Sequence, residues 1–259
     1  MRFVSIGLLL LLVGAPVKTS QVPQVAAQSG TDRAIVKPRT VVIIRRGALI
    51  KDFPNKKRAT VTYPVVSGLN DPQVLHRVQA ILQVKNVFDS SIAEYRDDNW
   101  LEEFGYEVNY NKNSILDITF TQDGSGAYPD TQTKHLAINL KNGSVIKASD
   151  VFTSRSLPAL RTMLDGKLHA ELKEILVSLK DSKNDPEDVR IATEAQEPLS
   201  YTIENLDDFE VGAKGVTFLY DAGYPHVIQA FEPNGRYFFS YSELKPFIKR
   251  EGPLGQFIQ

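Results

Sequence analysis

Between Phe104 and Phe152 three alternating stretches follow one another, FGYEVNYNK, SILDITFTQ and TKHLAINL, and the chain then turns through Lys141-Asn142-Gly143-Ser144 into VIKASDVF. No other feature constrains the fold so strongly. Tyr106, Val108 and Tyr110 share one side of the first stretch, Ile118 and Phe120 of the second, and Leu136, Ile138 and Leu140 of the third. That is the period of a strand with one buried face. Asn142-Gly143 is the strongest short hairpin signal, because both central residues of such a turn need positive φ. Strands joined by turns pair antiparallel, so an antiparallel sheet is expected.

Around this block, TVVIIRR from Thr40 and RATVTYPVV from Arg58 are β-branched and of strand length. NDPQVLHRVQAILQVKNVFDSSIAEY predicts one amphipathic helix. Asp71 can cap it, Pro72 suits its first turn, and Val74, Val78, Ile81, Phe88, Ile92 and Tyr95 recur at three- and four-residue spacing. A second helix is predicted from Leu157 to Lys180, with Leu160, Leu164, Leu168, Leu172, Leu176 and Leu179 on one face. YTIENLDDFEVGAKGVTFLYDAG, HVIQAF and GRYFFSYSELKPFI close the chain with two or three strands and a short helix. The order predicts an α+β fold of antiparallel sheets with two main amphipathic helices packed on them.

The N-terminus reads differently. Arg2 precedes an apolar run from Phe3 to Val13 that Pro16 ends. About 20 apolar residues are needed to cross a bilayer, so the run reads as a secretory signal. Cleavage is placed after Ala27, and an uncleaved anchor is the alternative. A mature chain would be secreted or periplasmic and not an integral membrane protein. The chain has no cysteine, which excludes disulfides, thiolate metal sites and a lipid-modified N-terminal cysteine. Charge is uneven: nine basic residues and only Asp52 lie between Arg33 and Arg58, whereas Asp181 to Glu210 is strongly acidic. A basic arm can follow an anionic surface or fold against the acidic segment. No basic patch interleaved with stacking aromatics points to nucleic acid.

Chemistry is harder to find. The sequence holds no GxxxxGK[ST], GxGxxG or GxSxG, and Gly124 and Gly126 crowd Ser125 too closely for a nucleophile elbow. His76, His135, His169 and His226 are scattered, with no HExxH-like pair, so no metal site is expected. Asp97-Asp98, Glu102-Glu103 and Asp207-Asp208 read as solvated charge, and Asp123, Ser125 and Asp130 do not follow the calcium-loop pattern. DGSGAYPD, residues 123 to 130, is expected to join two core strands. Its glycines would supply positive φ and close backbone approach, and Tyr128-Pro129 would set the return.

Two segments carry a family resemblance: GSGAYPDTQTKHLAINLKNGSVIKASDVF, residues 124 to 152, and FEVGAKGVTFLYDAGYPHVIQAFEPNGRYFFSYSELKPFI, residues 209 to 248. Together they resemble the extracytoplasmic domain of unknown function of RsiV, the lysozyme-sensing anti-sigma factor. The preceding region resembles the module associated with peptidoglycan deacetylases of the PdaC type. Neither a sigma-binding segment nor a deacetylase domain is read in this sequence, and Phe231-Glu232-Pro233 replaces the small residues usual in that loop. The organisation expected is a signal at 1–27, a disordered leader at 28–39, a PdaC-like module at 40–122, an RsiV-like module at 123–250 and a tail at 251–259.

The resemblance implies a non-enzymatic binding protein of the cell envelope that recognises a cell-wall glycan or a wall-active protein such as lysozyme, without a cofactor. Contacts with a partner are expected at Tyr128, His135, Tyr224 and His226, aromatic or imidazole groups within the two segments. Two alternatives stay open. One is a polysaccharide or cell-wall hydrolase whose residues meet only in the fold, and the other is an interaction protein that uses the basic arm.

Overall fold

The computed structural model describes residues 32–47, 49–97, 100–126, 128–181 and 186–259. The expected signal and its cleavage point lie outside the described residues, as does the leader up to Thr31. Among the described residues no helix is long and apolar enough to cross a membrane.

The chain is α+β. It runs β1 (Ile35–Ile44), α1 (Leu49–Asp52), β2 (Arg58–Ser67), α2 (Pro72–Ile81), α3 (Val84–Phe88), α4 (Ile92–Asp97), β3 (Leu101–Lys112), β4 (Ile115–Ser125), β5 (Pro129–Asn139) and β6 (Ser144–Val145). It continues with α5 (Ala148–Val151), α6 (Leu157–Asp181), α7 (Pro186–Gln196), β7 (Phe209–Val211), β8 (Gly215–Leu219), β9 (Arg236–Ser240) and α8 (Tyr241–Leu244). Strands β1 to β6 form one sheet in sequence order, and β7 to β9 form a second. All pairs are antiparallel except β2 and β3, which run parallel over Thr60↔Glu103 and Val61↔Phe104. The parallel pair follows from the helical crossover α2–α4, which returns the chain to the end of the sheet it left.

Two cores share the large sheet. On one face Val74, Val78 and Val87 of the crossover pack with Val61, Phe104, Ile118, Phe120 and Ile138. On the other, Ile115 and Ala137 join Leu160, Leu164 and Leu168 of α6 and Val216, Phe218 and Phe239 of the small sheet. Each such fully buried aliphatic contributes about 1.5–3 kcal/mol. Of the predicted leucine face of the long helix, Leu160, Leu164, Leu168 and Leu172 enter the core while Leu176 and Leu179 stay half-buried outside it, and α6 spans the expected range.

Several expectations change. The strand expected from Thr40 starts at Ile35, so the leader is extended sheet from there on. The expected boundary between 122 and 123 falls inside β4, whose Ile118 and Phe120 serve one core and whose Ile115 serves the other. Residues 251–259 are not a tail: Leu254 is fully buried, and the Phe257 ring stacks on Tyr241 at 4.3 Å.

The single helix expected from Asp71 to Tyr95 is three. Asp71 caps α2 as anticipated, accepting from Gln73 N and Val74 N. Asp89 then turns left-handed at φ 59° after Phe88. Ser91 and Glu94 start α4 as a reciprocal cap, Glu94 N donating to Ser91 Oγ and Ser91 N to Glu94 Oε2.

Turn chemistry is redistributed in the same way. Gly143 has φ +71° but Asn142 is not left-handed, so the Asn-Gly turn is not the expected mirror type. The two-residue turn with both φ positive is Asn113-Ser114, joining β3 to β4. A register shift between Val108 and Tyr110 flips Tyr110 out of the first core and against Phe257 in the second. HVIQAF is a 3-10 helix, His226–Phe231, rather than a strand.

Candidate functional site

DGSGAYPD closes the hairpin between β4 and β5, with Ser125 opposite Pro129. Its glycines do not adopt positive φ. Gly124 is needed for closeness alone, since a Cβ there would run into the Trp100 carbonyl and indole.

Ser125 is held in a closed cluster. Lys56 Nζ donates to Glu102 Oε1 and to the Ser125 carbonyl, both at 2.6 Å, and to Ser125 Oγ. Ser125 Oγ donates to the same Glu102 oxygen at 2.5 Å. A lysine held as the cation of an ion pair cannot take a proton from serine, so the trio staples β4 to the β1–β2 hairpin rather than activating a nucleophile.

A cleft of about 1160 Å³ lies between the two sheets. One wall is β5 from Asp130 to His135, continued by Phe88 and Asp89 at the end of α3. The other wall is Asp208 and the segment from Leu219 to Arg236, including Tyr220, Asp221, Tyr224 and Glu232. Glu171 of α6 shapes this second wall. Its carboxylate accepts from Asn234 N at 2.7 Å and from the Tyr237 hydroxyl at 2.8 Å. Gly235, at φ +64°, lets the strand pass so close to the Tyr220 carbonyl that no side chain is accommodated.

Two of the four residues expected to meet a partner line this cleft. His135 and Tyr224 line it from opposite walls. The other two, Tyr128 and His226, form a stacked pair, ring centroids 4.6 Å apart and 18° from coplanar, joining the β4–β5 hairpin to the 3-10 helix. Tyr128 is 62% exposed, and Val227, next to His226 in the chain, is 84% exposed.

Electrostatics distinguish the residues inside. His135 Nδ1 lies 2.9 Å from Thr119 Oγ1 and 3.2 Å from Glu210 Oε1, and Glu210 also binds Arg236 at 2.5 Å. Burial pushes the imidazole pKa down; Glu210 opposes this and Arg236 adds to it. Water reaches Asp208, yet it stands in a recess. Poor hydration first, then Asp221 and Glu210, raise its carboxyl to about 6. Its backbone carbonyl accepts from Leu219 N at 3.0 Å, but no described residue donates a hydrogen bond to its carboxylate. The buried Tyr224 hydroxyl likewise finds no partner among the described residues.

Five carboxylates, Asp89, Asp130, Asp208, Asp221 and Glu232, therefore face two cations, Lys134 and Arg236, and Arg236 is already paired. Among the described residues no three His, Asp or Glu side chains stand together as a metal site. Asp207 and Asp208, read alike from sequence, separate: Asp207 accepts from Ala148 N at the start of α5, while Asp208 faces the cleft. The acidic lining was missed because its members come from distant segments with no common spacing.

No family model matches the sequence, and no curated protein matches it. Solved structures do resemble it. A member of the DUF3298 family from Bacteroides fragilis superposes with a TM-score of 0.57 at 13% identity, over 89% of this chain and 99% of that one. A DUF3298 family protein from Pseudomonas aeruginosa gives 0.54 at 13% identity, over 84% of this chain and 95% of that one. At such identity the likeness is one of fold, and the fold is that of this domain family of unknown function.

Proposed function

We propose that the chain is a non-enzymatic recognition protein of the cell envelope, secreted or periplasmic, whose inter-sheet cleft takes up a wall-associated ligand. Of the two ligand classes that the RsiV-like resemblance implies, a basic wall-active protein such as lysozyme suits the cleft better than a neutral glycan. The observation that carries this preference is the surplus of carboxylates over cations in the cleft, with Asp208 unpaired. The N-terminal apolar run supports the compartment.

The test is retention of the full chain on immobilised lysozyme and on peptidoglycan. Micromolar lysozyme binding that weakens with salt, and about tenfold further in Asp208→Asn/Asp221→Asn, is expected. Retention on neither matrix overturns the reading.

One observation favours a second reading, a polysaccharide or cell-wall hydrolase. Glycosidases need an acid with a raised pKa near an ionised partner, and Asp208, raised to about 6 with Asp221 among its causes, meets the first half of that requirement. Release of reducing ends from peptidoglycan that disappears in Asp208→Asn would support it; none from the parent chain would remove it.

A further inference from the structure

Strand β5 is paired along its whole length on one side only. Its register with β4 runs unbroken from Ser125↔Pro129 to Ile115↔Asn139. On the other side β6 pairs only with Ile138 and Asn139, and the backbone bond beyond it is Ile146 N to the Ala137 carbonyl. From Pro129 to Leu136 the outer edge carries no strand among the described residues.

The direction of the free backbone groups follows from those bonds. In an antiparallel ladder without a bulge, alternate residues send both N–H and C=O to the same side. The carbonyls of Asn139 and Ala137 point away from β4, toward Gly143 N and Ile146 N. His135, Thr133 and Thr131 therefore also present their N–H and C=O groups on that side. This stretch of edge borders the cleft, for Asp130 to His135 form its wall. A strand lies about 4.8 Å from its neighbour, and a cleft of about 1160 Å³ has room for one.

The opposite edge of the sheet is guarded in a way this one is not. Mid-strand β1 carries Lys37, Pro38 and Arg39, the residues that blunt an edge against pairing. In β5 proline stands only at the first position, and β-branched Thr131 and Thr133 occupy the open stretch.

We propose that the open edge of β5 accepts an extended peptide strand of a partner protein, bearing lysine or arginine, which adds to the sheet inside the cleft. Backbone pairing with Thr131, Thr133 and His135 supplies the register, and alternate cationic side chains meet Asp208, Asp221 and Glu232 across the cleft. Lys134 discourages a cation at its own position and so favours alternation over a uniformly basic strand. The inference rests on the recognition reading and specifies how a basic protein would be held.

The experiment uses the full chain and three synthetic ten-residue peptides: one alternating lysine with threonine or valine, one with glutamate for each lysine, and one with the lysine sequence N-methylated at alternate backbone nitrogens. Fluorescence anisotropy is expected to show binding of the first and losses of about tenfold or more for the other two. Hydrogen exchange at the Thr131, Thr133 and His135 amides should slow in the complex. Thr133→Pro removes an outward N–H and should weaken the lysine peptide about tenfold. Because that variant could misfold, the N-methylated peptide tests the same contact on the unaltered protein.

Equal binding of the methylated and parent peptides, or unchanged exchange at the three amides, overturns strand addition. If lysozyme is retained while the lysine peptide fails to bind, this inference falls and the recognition reading stands. If lysozyme and peptidoglycan are also not retained, both fall.

Discussion

At the β1–β2 end of the large sheet, buried Arg45 donates to the carbonyls of Lys56, Tyr95 and Leu101, at 3.0, 3.0 and 2.7 Å for the shortest bond to each. Lys56 beside it is equally engaged, with Glu102 and Ser125. At the β5 end, the recessed Asp208 and the Tyr224 hydroxyl have no such partners among the described residues. The first region buries its charge and satisfies it internally, whereas the second leaves a carboxyl at the cleft surface and a buried hydroxyl without a donor or acceptor among the described residues. A saturated cluster is a structural staple, because every donor is spent on holding segments together. An unsatisfied one carries a standing desolvation cost that a ligand can relieve.

The comparison is broken most easily at the staple. Arg45→Ala would remove the guanidinium's bonds to the Lys56, Tyr95 and Leu101 carbonyls in a buried site. It should lower stability by about 3–4 kcal/mol, read as a shift of the urea midpoint. A loss under about 1 kcal/mol would mean that water replaces the guanidinium and that saturation is not what holds this end.

Asp117 lies between the two cases. It is fully buried on β4 and links the sheets, accepting from Asn109 Nδ2 at 2.7 Å and from Val211 N at 2.8 Å. Burial dominates over these two bonds and raises its carboxyl to about 7. With an unfolded value near 3.8, the native state binds a proton that the unfolded state does not between these limits. Its contribution therefore favours folding toward pH 4 and is lost as pH rises through 7. Asp117→Asn should flatten this dependence and stabilise the protein at pH 8 by on the order of 2 kcal/mol, with little effect near pH 5. Parallel urea titrations at the two pH values decide it, and a variant equally unstable at both would show that the carboxylate serves the sheet junction better than an amide.

The smallest effect sharpens the contrast in the cleft. Tyr224→Phe removes a buried hydroxyl with no partner among the described residues, so thermal unfolding should show no loss and a gain of up to about 1 kcal/mol. A clear loss would show that the hydroxyl is already satisfied and would take Tyr224 out of the unsatisfied set.

Much of this architecture was legible in the sequence. The leucine spacing of α6 and the Asp71-Pro72 start of α2 are local, and local chemistry is enough to place them. The break into α3 and α4 was legible as well, through Ser91 and Glu94, but the apolar spacing from Val74 to Tyr95 obscured it. The bulge before Tyr110 was not legible, since nothing local distinguishes a strand from one that skips a residue against its partner. The four expected contact residues were named singly, whereas Asp208, Asp221 and Glu232 were hidden among many surface acids.

What the sequence determined alone is the alternation of strands and helices and the residues each must bury, because side-chain period and capping act within a few positions. Which strand lies beside which, and so which edge stays open, was decided by the tertiary structure. The parallel return into β3, the two-residue length of β6 and the seating of the small sheet against β4 and β5 are non-local packing outcomes. They turn the strand following DGSGAYPD into one wall of an acidic cleft, and that wall exists only where two distant parts of the chain bury their apolar faces together.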